Sequence, residues 1–298
     1  MSLLSGRNFE TREYEEPIEE HSYELLKDGV LQFMNETNFK RFLMIIRSAG
    51  FVDNKLIRSQ NTLNFAYILY LKLREQNVNP AEIKGYVKRW FVMSILTGRY
   101  SGSPESWFDY DIKRISKGSF VEYLSEIEAA ELSEGFWTAG LIQSLNTSSS
   151  SNRSFLVYLA AQTKLNDRGF LSKDITVKNM LEHRGDIHHV FPRNYLKKLS
   201  YTQSMYNQVA NYVYMQQETN IKVGDDSPKK YMKVVLDQCI SKDPVYGGIV
   251  DREELTQNLI DNALPENLPD MEVSEFQEFL VFRRQKMAEK IKQYYLGL

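Results

Sequence analysis

Apolar residues recur along the first half of the chain at the three- and four-residue spacing of amphipathic helices, and no alternation of period two occurs there. The spacing predicts helices over residues 21–33 and 38–48. A third predicted helix, residues 61–74, is apolar on nearly every side, which is typical of a helix buried in a core. A fourth starts at Pro80, because proline is favoured at the first helical position. The first half is therefore predicted to be a helical bundle.

A polar run of asparagine, threonine and serine at residues 146–152 is the clearest linker in the chain. It predicts a boundary between a helical domain, residues 1–150, and a second region, residues 151–298. The same apolar spacing predicts further helices over residues 119–131, 135–144, 155–165, 228–240, 251–262 and 274–295. The predicted fold class is therefore mainly α.

Chemically versatile side chains crowd together in one stretch, residues 185–196, and three of the four histidines lie between His183 and His189. If this apolar run is a strand, the adjacent His188 and His189 point to opposite faces. Pro192 then ends the strand pairing, since proline has no N–H to donate. One histidine could bind a metal while the other faces a substrate.

The composition is that of an ordinary globular protein, with 42% hydrophobic and 26% charged residues among 298. No apolar run approaches the roughly 18 residues of a membrane helix, and the start of the chain lacks the apolar stretch of a signal peptide. We therefore expect a cytoplasmic protein without a membrane partner.

The formal net charge is −2, but the charge is unevenly distributed. Residues 183–233 carry eight lysines and arginines against four carboxylates, and this excess coincides with the histidines. Such an excess is what a phosphate-contacting surface requires, although a solvated lysine face has the same composition. The candidate nucleic-acid contacts are Arg184, Arg193, Lys197, Lys198, Lys222, Lys229 and Lys230.

The order of motifs from Asp186 onward resembles the C-terminal nuclease region of the GmrSD-like restriction endonucleases. The pattern reads Asp-x-His-His, two apolar residues and Pro192, then Asn211 before an apolar run, and then Thr219-Asn220. A Ser-Pro-x-x-Tyr segment that ends at Tyr231 follows. That nuclease region is similar to the HNH, or ββα-metal, nucleases.

The resemblance implies that a small β-hairpin plus a helix is embedded in the helical bundle. We expect its strands near residues 187–190 and 211–215, with Asn220 beginning the helix beside them. Residues 151–298 would then form an HNH-nuclease-like region with flanking helices. The implied reaction is metal-dependent hydrolysis of DNA phosphodiester bonds.

The resemblance also implies a role for each site residue. His189 corresponds to the general base, and an imidazole with a pKa near ~6.5 suits that task at neutral pH. Asn211 stands where the family places the asparagine that orients this base. His188 and Asn220 stand at the metal-ligand positions, His188 where many relatives carry Asp. Asp186 would lie on the same side of the strand as His188, and its carboxylate is expected to fix the orientation of the His188 imidazole.

The implied cofactor is one divalent cation. An amide oxygen such as that of Asn220 is a legitimate ligand for Mg²⁺, whereas the imidazole of His188 suits Mn²⁺, Ni²⁺ and Zn²⁺ as well. We expect Mg²⁺, with the other three as alternatives.

The glycine-rich segment Gly98–Ser103 is the other motif that attracts attention. Glycines can expose backbone N–H groups to anions, but no strand precedes this segment and no Gly-Lys-Ser/Thr follows it. A similar Gly-Arg-Tyr-Ser-Gly-Ser segment occurs in the GmrSD-like family, which implies a structural role.

Three functions compete at this point. The first is a DNA endonuclease module of a modification-dependent or phage-defence restriction system. The second is a catalytically inactive nucleic-acid-binding scaffold of the HNH fold, which is favoured because His188 stands where many relatives carry Asp. The third is an RNase or toxin of the same fold.

Full-length family members begin with a domain that carries Asp-Gly-Gln-Gln-Arg and is implied to use nucleotide. This chain lacks that motif, so we expect it to be the C-terminal portion of a longer protein.

Overall fold

The computed structural model describes residues 16–183 and 185–298, and they are mainly helical. The described helices are α1 (Glu16–Phe33), α2 (Glu36–Ser48), α3 (Gln60–Glu75), α4 (Pro80–Thr97), α5 (Pro104–Lys117), α6 (Phe120–Glu131), α7 (Leu141–Ser144), α8 (Arg153–Leu165), α9 (Val177–Glu182), α10 (Arg193–Lys198), α11 (Gln203–Tyr206), α12 (Gln217–Val223), α13 (Pro228–Ser241), α14 (Arg252–Asp261) and α15 (Phe276–Leu296). A π-helical turn, Phe136–Gly140, precedes α7, and short 3-10 turns lie at Asn54–Leu56, Val209–Asn211, Leu268–Asp270 and Val273–Glu275.

The helices predicted from apolar spacing are confirmed. They could be predicted because their ends carry strong local signals. In α4, the side chain of Asn79 accepts a hydrogen bond from the Ala81 N–H, and Pro80 occupies the start of the helix. Gly98 ends the helix in the left-handed conformation, at a φ of 70°. These interactions act within a few residues of the ends of α4.

Helix α5 was not predicted, although Pro104 at its start is a helix signal. A buried network holds it against α4. The Arg99 guanidinium donates to both carboxylate oxygens of Asp111, at 2.9 and 2.6 Å, and the Tyr100 hydroxyl donates to the same carboxylate at 2.7 Å. Asp111 is fully buried and Arg99 is almost so. Arg99 lies in the turn after α4, so these contacts fasten α5 to that turn, and the role of Arg99 is structural.

The described strands form a two-stranded antiparallel sheet, β1 (Ile187–His189) and β2 (Tyr212–Tyr214). Ile187 pairs with Tyr214, His188 with Val213 and His189 with Tyr212. The prediction of one small sheet within a mainly helical chain is confirmed. The strands are not joined by a tight turn, because α10 and α11 lie in the connection between them.

Two hydrophobic clusters form the interior, and the sheet lies where they meet. The first cluster takes residues from α2 to α8 and from the second half of α15, and Tyr212 belongs to it. The second takes residues between Phe170 and Leu280, including Val213. Because neighbouring strand residues face opposite sides, β2 contributes to both clusters. Helix α8, which follows the predicted domain boundary at residue 150, packs with the first cluster. The boundary itself stays a prediction.

None of the helices in the described part of the chain is long and apolar enough to cross a membrane.

Candidate active site

Asn211 fixes the backbone that follows the two histidines. The Val190 N–H donates to the Asn211 carbonyl at 2.9 Å, which extends the pairing one residue beyond β1. The Asn211 side chain then accepts from the Phe191 N–H at 2.9 Å and donates to the carbonyls of Phe191 and Tyr206, both at 3.1 Å. The side chain is fully buried, so it replaces strand pairing where Pro192 prevents it.

The Ser-Pro-x-x-Tyr segment holds the same stretch from the opposite side. Ser227 caps α13 by accepting from the Lys230 N–H, and Pro228 occupies the start of the helix. One turn later, the buried Tyr231 hydroxyl donates to the Val190 carbonyl at 2.9 Å. The motif therefore places a helix so that its tyrosine fastens the end of β1.

His189 has a defined hydrogen-bond partner. Its Nε2 lies 3.0 Å from the side-chain oxygen of Asn207. Since an amide oxygen only accepts, Nε2 carries the proton, and the lone pair is left on Nδ1. Burial lowers the pKa of His189, and the charges of Arg193 and His188 lower it further, whereas the hydrogen bond to Asn207 raises it. The net shift is downward, so the ring is neutral at pH 7.

His188 shows the opposite situation, with a buried nitrogen that lacks a partner. Its Nε2 is inaccessible to solvent and makes no hydrogen bond with any described residue. Burial lowers the pKa of the ring, whereas the Asp186 carboxylate and a hydrogen bond with the Met215 backbone raise it. Buried polar atoms are normally paired, and a ligating histidine typically has its other nitrogen held by a neighbour. Nε2 is therefore the ring nitrogen left for a metal, and it is closed to solvent in this structure.

Asn220 follows closely after β2. It is the fourth residue of α12, which starts at Gln217 and so three residues earlier than predicted. Its half-buried side chain makes no hydrogen bond with any other described residue. The Met215 backbone contacts the His188 ring, and α12 begins two residues after Met215. The carboxamide is available as an oxygen ligand.

The donor set is too small for a closed structural metal site. Within residues 16–183 and 185–298, no group of three or more His, Cys, Asp or Glu side chains could hold a metal ion. His188 and Asn220 offer one imidazole nitrogen and one amide oxygen, so water and substrate phosphate would complete the shell. Mg²⁺ commonly keeps several waters and uses few protein ligands.

The candidate nucleic-acid contacts occupy different surroundings. Arg193 is exposed, forms no ion pair with a described residue, and lies close enough to His189 for its charge to lower the pKa of that ring. The Lys197 ammonium lies over the Tyr206 ring, 6.0 Å from its centre. The Lys222 ammonium donates to the Val245 carbonyl at 3.2 Å. Arg184 lies outside the described residues.

The other three lysines have acidic neighbours. The ion-pair distances are 3.1 Å for Lys198 with Asp225, 2.6 Å for Lys229 with Glu272 and 2.6 Å for Lys230 with Asp226. The lysine side chains are more than half exposed, and exposed pairs contribute little energy, so a phosphate could compete for them. The positive charge that sequence counting suggests is therefore partly neutralised, whereas Arg193, Lys197 and Lys222 form no ion pair with a described residue.

Sequence reasoning missed two residues that position the site. Asn207 lies in the irregular segment after α11, where no motif marks it. Arg283 is buried in α15 and donates to the Ala210 carbonyl at 2.8 Å and to the Asn262 carbonyl at 3.3 Å. It braces the residue next to Asn211 from a position 73 residues away. A basic residue in an amphipathic helix gave no signal of that contact.

Comparisons with known proteins give one distant relative. An uncharacterized protein of Methanocaldococcus jannaschii is 24% identical over 223 residues, which cover 69% of this chain and 36% of the relative. The chain thus spans about a third of the length of the relative that it matches. No protein-family model matches the chain, and no solved structure matches it significantly.

Proposed function

We propose that this chain is a metal-dependent endonuclease that hydrolyses DNA phosphodiester bonds, as the module of a modification-dependent or phage-defence restriction system. One observation carries the proposal. A neutral His189, held by Asn207, stands beside a His188 whose buried Nε2 has no partner. Asn211 holds the backbone just beyond them, but the side chain that contacts the His189 ring is that of Asn207, not that of Asn211 as the resemblance implied.

In this proposal His189 is the general base. Its Nδ1 takes a proton from the attacking water as the water oxygen bonds to phosphorus and the bond to the leaving oxygen breaks. Asn207 keeps the proton on Nε2 and so leaves the lone pair on the nitrogen that reacts. A half-buried, neutral imidazole of lowered pKa is in its basic form at pH 7.

His188 and Asn220 are the proposed metal ligands, with Asp186 supporting His188 through its charge. When bound, a divalent cation would neutralise charge on the phosphate and on the leaving oxygen. We propose Mg²⁺, with Mn²⁺, Ni²⁺ or Zn²⁺ as alternatives that an imidazole ligand accommodates.

The alternative proposal is a nucleic-acid-binding scaffold that has lost turnover. It is favoured by the donor set, since His188 replaces a carboxylate and the described residues provide no group of three acidic, histidine or cysteine ligands. A hard cation would then be held too weakly for catalysis at physiological concentration.

A cleavage assay separates these proposals. Plasmid DNA and a structured RNA are each incubated with the purified chain and Mg²⁺, Mn²⁺, Ni²⁺, Zn²⁺ or a chelator, with His189→Ala as the matched control. Cleavage of DNA that needs metal and His189 supports the endonuclease. Cleavage restricted to RNA supports an RNase of the same fold. DNA binding without cleavage under any metal supports the scaffold.

A further inference from the structure

We infer that the cavity at the glycine-rich turn binds a phosphate ester of nucleotide size. The cavity has a volume of about 520 Å³ and lies between the start of α3, the end of α4 and the starts of α5 and α8. It involves none of the proposed catalytic or metal-binding residues, so this inference stands apart from the nuclease proposal.

Three helices begin at the wall of this cavity. Gln60 is the first residue of α3, Pro104 of α5 and Arg153 of α8, and all three residues line it. Each helix has 13 residues or more. The N-terminus of a helix carries a partial positive charge, so three starts at one wall favour an anion. Ser59 and Asn152 cap α3 and α8, whereas α5 has no side-chain cap and leaves its first N–H groups to a ligand.

Two uncompensated arginines add full positive charges. Arg58 and Arg153 line the cavity, and neither forms an ion pair or a hydrogen bond with a described residue. No aspartate or glutamate occurs among the described residues of the wall. The Arg153 guanidinium packs against Gly98, where a Cβ would collide with its Nη1 and where the φ of +70° also favours glycine. The turn therefore holds this charge at the cavity wall.

A buried hydroxyl without a partner provides an independent indication of a ligand. Ser94 is fully buried in α4 and lines the same cavity, and its Oγ makes no hydrogen bond with any described residue. Leaving a buried hydroxyl unpaired costs free energy. A bound phosphate oxygen would satisfy it.

The rest of the wall indicates what accompanies the phosphate. Leu56, Ile95 and Leu156 provide an apolar surface beside the polar groups. A cavity of this size and mixed lining suits a small ligand with one anionic end and one aromatic ring whose faces can pack on apolar side chains. A nucleotide has both, either free or as part of a nucleic-acid strand.

The test measures binding of inorganic phosphate, ATP and a short single-stranded oligothymidylate, by calorimetry and by thermal shift against chloride at equal ionic strength. Arg58→Gln and Arg153→Gln remove one charge each, and Arg41→Gln is the matched control. Arg41 is also exposed and without an ion pair to a described residue, but it lines a different cavity. We expect each of the first two substitutions to weaken phosphate binding about tenfold or more, and the control to leave it unchanged.

Ser94→Ala separates binding from folding. Because it removes an unpaired buried hydroxyl, the ligand-free protein should melt at the parent temperature or higher, while phosphate binds more weakly. Stabilisation by ATP but not oligothymidylate assigns the site to a free nucleotide, and the reverse assigns it to a nucleic-acid backbone. Stabilisation by none of the probes overturns the inference, as does equal binding by Arg58→Gln, Arg153→Gln and the Arg41→Gln control.

Discussion

The Nε2 atom of His189 lies 3.0 Å from the side-chain oxygen of Asn207, a residue 18 positions further along the chain. Pro192 and two short helices lie between them in sequence, so the long connection between the strands supplies the group that orients the proposed base. The contact determines which nitrogen carries the proton, and it provides direct ways to test the mechanism.

Removing the Asn207 carboxamide should slow cleavage without impairing DNA binding. Asn207→Ala leaves the His189 ring free to rotate and to change tautomer, and loss of such a supporting hydrogen bond typically costs about 10- to 100-fold in activity. Single-turnover cleavage measures the rate, and a gel-shift titration measures affinity. Parent-like cleavage by Asn207→Ala would show that another group orients the ring.

The pH dependence of cleavage should follow the pKa of His189. Burial lowers that pKa below 6.5, so the basic form persists above it and kcat/KM should fall only as the pH drops below 6.5. Asn207→Asp places a carboxylate against the ring, which favours the protonated form and raises the pKa. The acid limb of the profile should therefore move to higher pH in this variant. An unmoved limb would mean that it reports a different group.

The two histidines should differ in their response to metal. His189→Ala should slow cleavage by roughly 10²–10⁴-fold, about 2.7–5.4 kcal/mol of transition-state stabilisation. High metal concentration should not restore it. His188→Ala should weaken metal affinity, so that titration with Mg²⁺ or Mn²⁺ recovers part of the rate. If His189→Ala cleaves like the parent and His188→Ala is inactive, the roles of the two residues are exchanged.

The two motif asparagines should differ in their effect on stability. Asn211→Ala leaves the buried N–H and carbonyl of Phe191 without partners and removes one of two hydrogen bonds to the Tyr206 carbonyl, and we expect a loss of about 2–5 kcal/mol in the free energy of unfolding. Asn220→Ala removes a side chain without a hydrogen bond to described residues, and should change stability by about 0.5 kcal/mol or less. Urea unfolding compares the two, and similar losses would contradict the structural role of Asn211.

Arg193 should contribute more to DNA binding than the paired lysines. Arg193→Ala should reduce the magnitude of the log–log salt slope by about 0.9 if the residue contacts one phosphate. Lys230→Ala is the matched control, because Asp226 already neutralises that lysine at 2.6 Å. The slope comes from affinities measured at several salt concentrations. Equal changes in both variants would mean that the ion pair opens freely on binding.

Local signals account for what could be predicted of the fold. The ends of α4 follow from Asn79, Pro80 and Gly98, which act within a few residues of themselves. The Ser227-Pro228 start of α13 is equally local. Helix α5 escaped prediction, since its packing depends on the contacts that Arg99 and Tyr100 make with Asp111.

The sequence by itself determined the long helices other than α5, because periodicity and capping are local properties, and its motif order indicated the two short strands and the candidate residues His188, His189, Asn211 and Asn220. Only the tertiary structure decided that Asn207 orients His189, that Nε2 of His188 stays unpaired, and that Arg283 braces the Asn211 segment. It also gathered residues between Leu56 and Leu156 around one cavity at the glycine-rich turn. Such contacts join distant parts of the chain, and they arise when whole helices and strands pack against each other.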